Sequence, residues 1–171
     1  MRRVPSTRQG WSWAGSDCFK SEALELFDRK NGVFEAISHG TKVEAYRILS
    51  LFEDSSGRLW FGSNEGLSLV DPDTKQSRLI KNGLVGNPVQ SIVEDKDGNL
   101  WLGTNNGVSF YSPLTKHVRH YTRNSGKLIG SINIGAAKVS SQQEIIFGGV
   151  NGLRIFKPDE LKTNTTPPPV S

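Results

Sequence analysis

The chain holds one cysteine, one methionine and three histidines among 171 residues. A lone cysteine excludes an internal disulfide framework and any cysteine-cluster zinc site, and Cys18 reads as a small side chain. No run approaches the ~18 apolar residues that a membrane-spanning helix needs, so no membrane segment is expected. Met1-Arg2-Arg3 opens with charge but no apolar stretch follows, which argues against a secretory or twin-arginine signal in these residues. Motifs of chemistry are missing as well: there is no Gly-x-Ser-x-Gly, no phosphate loop and no His-Glu-x-x-His. His39 falls in a connecting loop, and His117 and His120 lie on opposite faces of a strand, a poor geometry for sharing a metal. No catalytic residue, metal or cofactor is therefore expected. Basic residues outnumber acidic ones by 21 to 17. Most of that excess comes from Arg2, Arg3, Arg8 and Lys20, set against Asp17 alone. Elsewhere the signs alternate without a basic stripe, so nucleic acid is not an expected partner.

What the chain does have is glycine, 18 residues of it, and an internal repeat. Residues 50–78 align with residues 91–119 at an offset of 41, with 14 of 29 positions identical. The shared positions include Glu53/Glu94, Asp54/Asp95, Gly57/Gly98, Trp60/Trp101, Gly62/Gly103, Asn64/Asn105 and Gly66/Gly107. A third copy lies 45 residues on, where Phe147-Gly148-Gly149-Val150-Asn151-Gly152-Leu153 matches Leu102 to Val108. A damaged copy lies 47 residues upstream of the Trp60 copy, through Gly10, Trp13, Gly15 and Ser16.

Each unit reads as four short strands. In the clearest copy, Val89 to Glu94 is the first strand and Asp95-Lys96-Asp97-Gly98 a turn. Leu100 to Thr104, Val108 to Tyr111 and a polar His117 to Tyr121 follow, separated by Asn105-Asn106-Gly107 and by a turn through Pro113. Ser21 to Phe27 has helix-forming composition, but the repeat register makes Leu24 to Phe27 a strand. Pro158 to Lys162 reads as one helical turn, and residues 163–171, with three consecutive prolines, as an extended linker.

Four strands every 41–47 residues is the unit of a β-propeller blade. Such a sheet cannot bury both faces alone, and stacking blades about an axis buries them against each other. The expected architecture is all-β, a β-propeller of about four four-stranded blades, three complete and one partial. The blades run roughly over 1–37, 38–80, 81–122 and 123–162, and residues 163–171 lead to a further domain. Trp60 and Trp101 fill the space between blades, in preference to serving as sugar-stacking platforms. Gly62 and Gly103 leave room for a neighbour, and Gly148 repeats that position. Asp54, Gly57, Asp95 and Gly98 form turns; Gly66, Gly107 and Gly152 open the third strands. Glu53 and Glu94 are placed to cap neighbouring N–H groups, and Trp11 stands outside the repeat.

Ligand contact falls to the loops between second and third strands and those joining blades. These hold Asn64, Glu65, Asn105, Asn106, Asn151 and the stretch Lys81 to Asn87. Asparagine both donates and accepts, which suits hydroxyl recognition. It is also a favoured left-handed turn residue, so both roles stand open.

The segment Ile92-Val-Glu-Asp-Lys-Asp-Gly-Asn-Leu-Trp-Leu-Gly-Thr-Asn-Asn-Gly-Val108 resembles the two-component regulator propeller repeat, and Leu51 to Leu67 matches it again. Residues 147–158 with the Pro-Pro-Val at 168–170 resemble the last blade of such sensors. Two copies depart from the pattern: Thr7 replaces the turn aspartate in the first, and Ser140-Ser141-Gln142-Gln143 replaces the turn in the last. The resemblance implies the C-terminal part of a seven-bladed ring. In it, a non-catalytic, ligand-sensing segment sits in the periplasmic or extracytoplasmic region of a bacterial signalling receptor. Its implied partners are a small-molecule or carbohydrate ligand, the remaining blades, and C-terminal signalling domains of histidine kinase, response-regulator or diguanylate cyclase type. A homodimer is compatible with that arrangement. A propeller lyase acting on a polysaccharide or cyclic peptide, and a protein-interaction scaffold, are the alternatives.

Overall fold

The computed structural model describes residues 2–3, 11–15, 24–28, 31–39, 47–71, 73–74, 76–81, 83–84, 87–121 and 130–162. The turn at Thr7, Gly10, Ser16, Cys18 and the linker at 163–171 lie outside them. So do the side chains of Trp11, Trp13 and His39.

The strands form four separate sheets. The first is β1 (Arg2–Arg3), β2 (Trp11–Gly15), β3 (Leu24–Asp28) and β4 (Val33–Ala36), hydrogen-bonded in chain order. The second takes β5 (Ser38–His39), β6 (Ile48–Glu53), β7 (Leu59–Ser63), β8 (Gly66–Asp71) and β9 (Gln76–Leu79), with β5 added parallel outside β9. The third holds β10 (Val89–Glu94), β11 (Leu100–Thr104), β12 (Gly107–Tyr111) and β13 (Val118–Tyr121). The fourth holds β14 (Ile132–Val139), β15 (Ile145–Gly149) and β16 (Gly152–Phe156), followed by a short helix, α1 (Pro158–Lys162). The repeat register would place a fourth strand of this sheet beyond residue 162, outside the described residues. The first copy, damaged in sequence, nonetheless forms four strands.

The sheets pack face to face. Both faces of the second strands β7 and β11 are buried along their whole length, because a sheet lies on each side. Leu59 and Phe61 point one way, into a cluster with Ile37, Ile48 and Val70. Trp60 points the other way, into a cluster with Leu100, Leu102 and Tyr111 of the third sheet. One repeat later, Trp101 packs with Ile132, Ile145 and Phe147 of the fourth sheet, and Leu161 of α1 closes that cluster. The fourth strands β9 and β13 are polar and half-exposed; β13 is the edge of its sheet, as suits its polarity, and β9 is followed only by the two-residue β5.

The turn between first and second strands does more than reverse the chain. In each of two copies Gly57 or Gly98 donates its N–H to the carbonyl of Asp54 or Asp95, at φ of +77°. Each aspartate is buried, and its Oδ1 accepts backbone N–H groups from within the turn. Its Oδ2 accepts the indole N–H of the tryptophan six residues on, at 2.8 Å from Trp60 and 2.9 Å from Trp101. One carboxylate thus closes the turn and satisfies the buried indole. In the fourth sheet the turn residue is Ser140, whose Oγ accepts from Gln142 and Glu144. Gln143 takes the left-handed conformation at φ +62°, and Ile146 stands where the tryptophan would be. Where the carboxylate goes, the indole it would serve goes too.

Neighbouring sheets are also bonded directly. Ser50 Oγ donates to the carbonyl of Val89 at 3.2 Å, and its repeat counterpart Ser91 donates to Asn133 at 3.0 Å. Glu94 accepts from both the N–H and the hydroxyl of Ser55, at 2.7 and 2.8 Å. Between the third sheet and α1 the link is Lys96 Nζ to Asp159 Oδ2 at 3.0 Å, and that carboxylate holds the lysine above its ordinary pKa.

Candidate functional site

The turns between second and third strands all lie at one end of their sheets, and the structure shows what their asparagines do. Asn64 Oδ1 accepts the N–H of Arg47 at 2.8 Å, and its amide donates to Glu65 at 3.1 Å. Asn105 Oδ1 accepts from the side chain of Gln90. Asn151 packs against the backbone of Gly130. Asn64, Glu65 and Asn105 therefore serve their own turns and the strand beside them. Asn106 differs: among the described residues its backbone N–H is engaged, by Thr104 Oγ1 at 3.2 Å, and the residue is exposed.

Asn106 borders a cleft of about 220 Å³ lined by Asn87, Thr104, Val108, Ser109, His120 and Tyr121. The antiparallel register of β12 and β13 sets Ser109 opposite His120, and Ser109 Oγ lies 2.8 Å from His120 Nδ1. Thr104 Oγ1 donates to the carbonyl of Gly107 at 3.0 Å. Tyr121 stacks on Trp101 at 5.7 Å and 21°. Of the five ligand-contact residues expected from the sequence, the cleft takes Asn106 alone; Asn87 comes from the loop named beside them. Thr104, Ser109, His120 and Tyr121 were not expected there. The signal that could have found them is a break in the repeat: the second sheet has Leu79 and Ile80 where the third has His120 and Tyr121.

Trp60 and Trp101 are packed too tightly to serve as platforms. Trp60 meets Tyr111 edge-on at 5.9 Å, under the Arg58 guanidinium at 5.5 Å. Trp101 contacts Phe110, Tyr121 and Phe156. The Tyr111 hydroxyl is fully buried beside Trp60 and meets no hydrogen-bond partner among the described residues. Burial pushes its pKa up, with Arg78 and Arg58 opposing. The same repeat position is Val70 in the second sheet and Phe156 in the fourth. Tyr111→Phe is therefore expected to stabilise the chain by about 0.5–1 kcal/mol, measured by urea unfolding, since it removes an unmet donor without changing shape. Among the described residues, no group of three or more His, Cys, Asp or Glu side chains is placed to hold a metal.

Stacked four-stranded sheets joined by a recurring indole and glycine make this chain a run of β-propeller blades. Residues 43–65 and 83–106 match the family Two component regulator propeller. No curated protein matches the chain in sequence. Among solved structures it is similar to the extracellular domain of the hybrid two component system BT3049 from B. thetaiotaomicron, at 26% identity and a TM-score of 0.77. That match covers 98% of this chain and 23% of the other. The extracellular domain of the one component system BT4673 from the same organism matches at 22% identity and a TM-score of 0.72, over 90% of this chain and 21% of the other. Virginiamycin B lyase from Staphylococcus aureus shares the fold at 14% identity and a TM-score of 0.60, covering 90% of this chain and 54% of the lyase. The chain thus spans about a fifth of the length of these two extracellular domains and shares the fold of that part.

Proposed function

We propose that the chain is an arc of a larger extracytoplasmic propeller that senses a ligand for a signalling receptor and carries out no chemistry itself. The observation that carries this reading is the near-complete superposition of the chain on part of a two-component extracellular domain. The last sheet supports it. On the third sheet Trp101, Val108 and Phe110 share the face turned to the fourth, where Val108 is 2% exposed. The same positions on the fourth sheet are Ile146, Leu153 and Ile155, and there Leu153 is 67% and Ile155 56% exposed. An apolar face of this pattern is what a following blade covers. We assign the covering blade, and the signalling domains, to the rest of a longer receptor. Ligand occupancy would then change how blades pack, or how two receptors pair, and that change would reach the output domains. The lyase shares only the fold at this level of identity.

The test uses Leu153→Lys with Ile155→Lys. The chain alone is expected to self-associate with rising concentration in light scattering, and the two lysines to relieve this. In cells carrying the full-length gene, the same change is expected to abolish the receptor's response to its inducer. A lone chain that stays monomeric, or a receptor that responds normally with both lysines, would overturn the reading.

A further inference from the structure

We propose that the outer rim of the seam between the second and third sheets binds a small carboxylate anion, held by the guanidinium groups of Arg58 and Arg78 with the Tyr111 hydroxyl as a third donor. The strand register brings these groups together. Phe52, Trp60, Leu69 and Arg78 lie opposite one another across β6 to β9, one row on the face turned to the third sheet. Arg58 precedes β7 and lays its guanidinium 5.5 Å from the Trp60 ring. From the third sheet, Tyr111 meets the same ring edge-on at 5.9 Å. Burial raises the pKa of the phenol, and Arg78 and then Arg58 oppose the rise, as two cations near its hydroxyl do.

All three groups have donors to spare. Tyr111 is wholly buried and its hydroxyl bonds to nothing among the described residues, a cost that a bound acceptor would remove. Arg58 gives its Nε–H to Asp54 Oδ2 at 2.6 Å and its terminal nitrogens to no described residue. Arg78 is exposed and makes no hydrogen bond or ion pair among the described residues. The other seams lack this combination. Between the third and fourth sheets Asn99 replaces Arg58, with its amide turned to Asp95, and Phe156 replaces Tyr111, although Arg119 repeats Arg78. One seam earlier the same two places hold Trp11 and Val70. The second guanidinium and the hydroxyl thus arrive together at one seam and are missing together from its neighbours. Two arginines and Asp54 sum to one positive charge, which suits a monovalent anion. A carboxylate accepts from guanidinium and hydroxyl alike, in the planar geometry that arginine offers. Trp60 and Tyr111 fill the seam itself, so the anion enters at the rim and has few atoms.

Urea unfolding of the chain at low concentration, in sodium acetate against sodium chloride at equal ionic strength and neutral pH, tests the site. Acetate is expected to raise the unfolding midpoint saturably, with half of the effect at about 1–10 mM. Tyr111→Phe and Arg58→Asn should each weaken this response about tenfold, the loss of one hydrogen bond to a charged group. Each substitution installs the residue of the next seam, so the fold has a precedent for both. Arg119→Gln, at that next seam, should leave the response intact. The gain in stability from Tyr111→Phe in chloride should also shrink as acetate is added, because the anion satisfies the hydroxyl that the variant lacks. A midpoint indifferent to acetate would overturn the site. So would a response unchanged in Tyr111→Phe or in Arg58→Asn, the mark of a general salt effect, or one lost equally in Arg119→Gln. The site stands apart from the sensing role, which the receptor response judges separately.

Discussion

Trp101→Ala should cost about 3–5 kcal/mol of stability, the largest loss of any single truncation on the third sheet. The indole is fully buried and touches Phe110, Tyr121 and Phe156, so its removal leaves a cavity between two sheets that are held apart by other contacts. The loss also strips one partner from Asp95, which keeps its bonds to the turn and to Asn99. Urea unfolding followed by circular dichroism measures the effect. The fourth sheet supplies a sharper form of the test. There serine and isoleucine occupy the aspartate and tryptophan positions together. Asp95→Ser and Trp101→Ile should therefore be non-additive, the double variant being less damaged than the sum of the two singles by about 1 kcal/mol. Additive losses would mean that the indole and the carboxylate act independently.

Gly62→Ala should be the most damaging of the glycine substitutions, at about 1–3 kcal/mol or more. A methyl group at this position would fall on the carbonyl oxygen of Val89 and on the Ser50 hydroxyl. Both belong to the bond that ties the second sheet to the third. A backbone carbonyl cannot move aside without shifting β10, so the strain passes into the neighbouring sheet. At Gly103, the equivalent position, the obstacle is the side chain of Ile132, its Cγ2 at 2.6 Å from the added carbon. A buried side chain yields at less cost than a backbone carbonyl held in a strand. Gly103→Ala should thus be the milder change, and melting both variants side by side ranks them. Equal losses would show that the sheets slide as readily as a side chain turns.

Strands, turns and the apolar stripe were legible in the sequence because a repeat reports the same physics several times over. The strand from Leu100 to Thr104 could be bounded by the glycine-bearing turns on either side, and the structure has it there. The second duty of Asp54 and Asp95 was not legible. A carboxylate that closes a turn and one that also receives an indole six residues on leave the same mark in a chain, and only folding brings the two groups together. The clasp between Ser55 and Glu94 was half legible: a capping role for the glutamate was evident, its partner on the previous sheet was not. β5 lies parallel outside β9, an addition with no periodic signature in two residues. The cleft was hidden for the opposite reason. What recurs says nothing of His120 and Tyr121, which stand where the second sheet has Leu79 and Ile80 and line one cleft with Ser109.

The anchoring of α1 sets the route by which mechanical load enters this part of the molecule. Leu161 is sunk in the cluster around Trp101, and Asp159 holds Lys96 in the turn of the third sheet. Tension applied at Lys162 is therefore received by the third sheet as well as by β16, the strand the helix follows. A pull at that point loads two sheets in parallel.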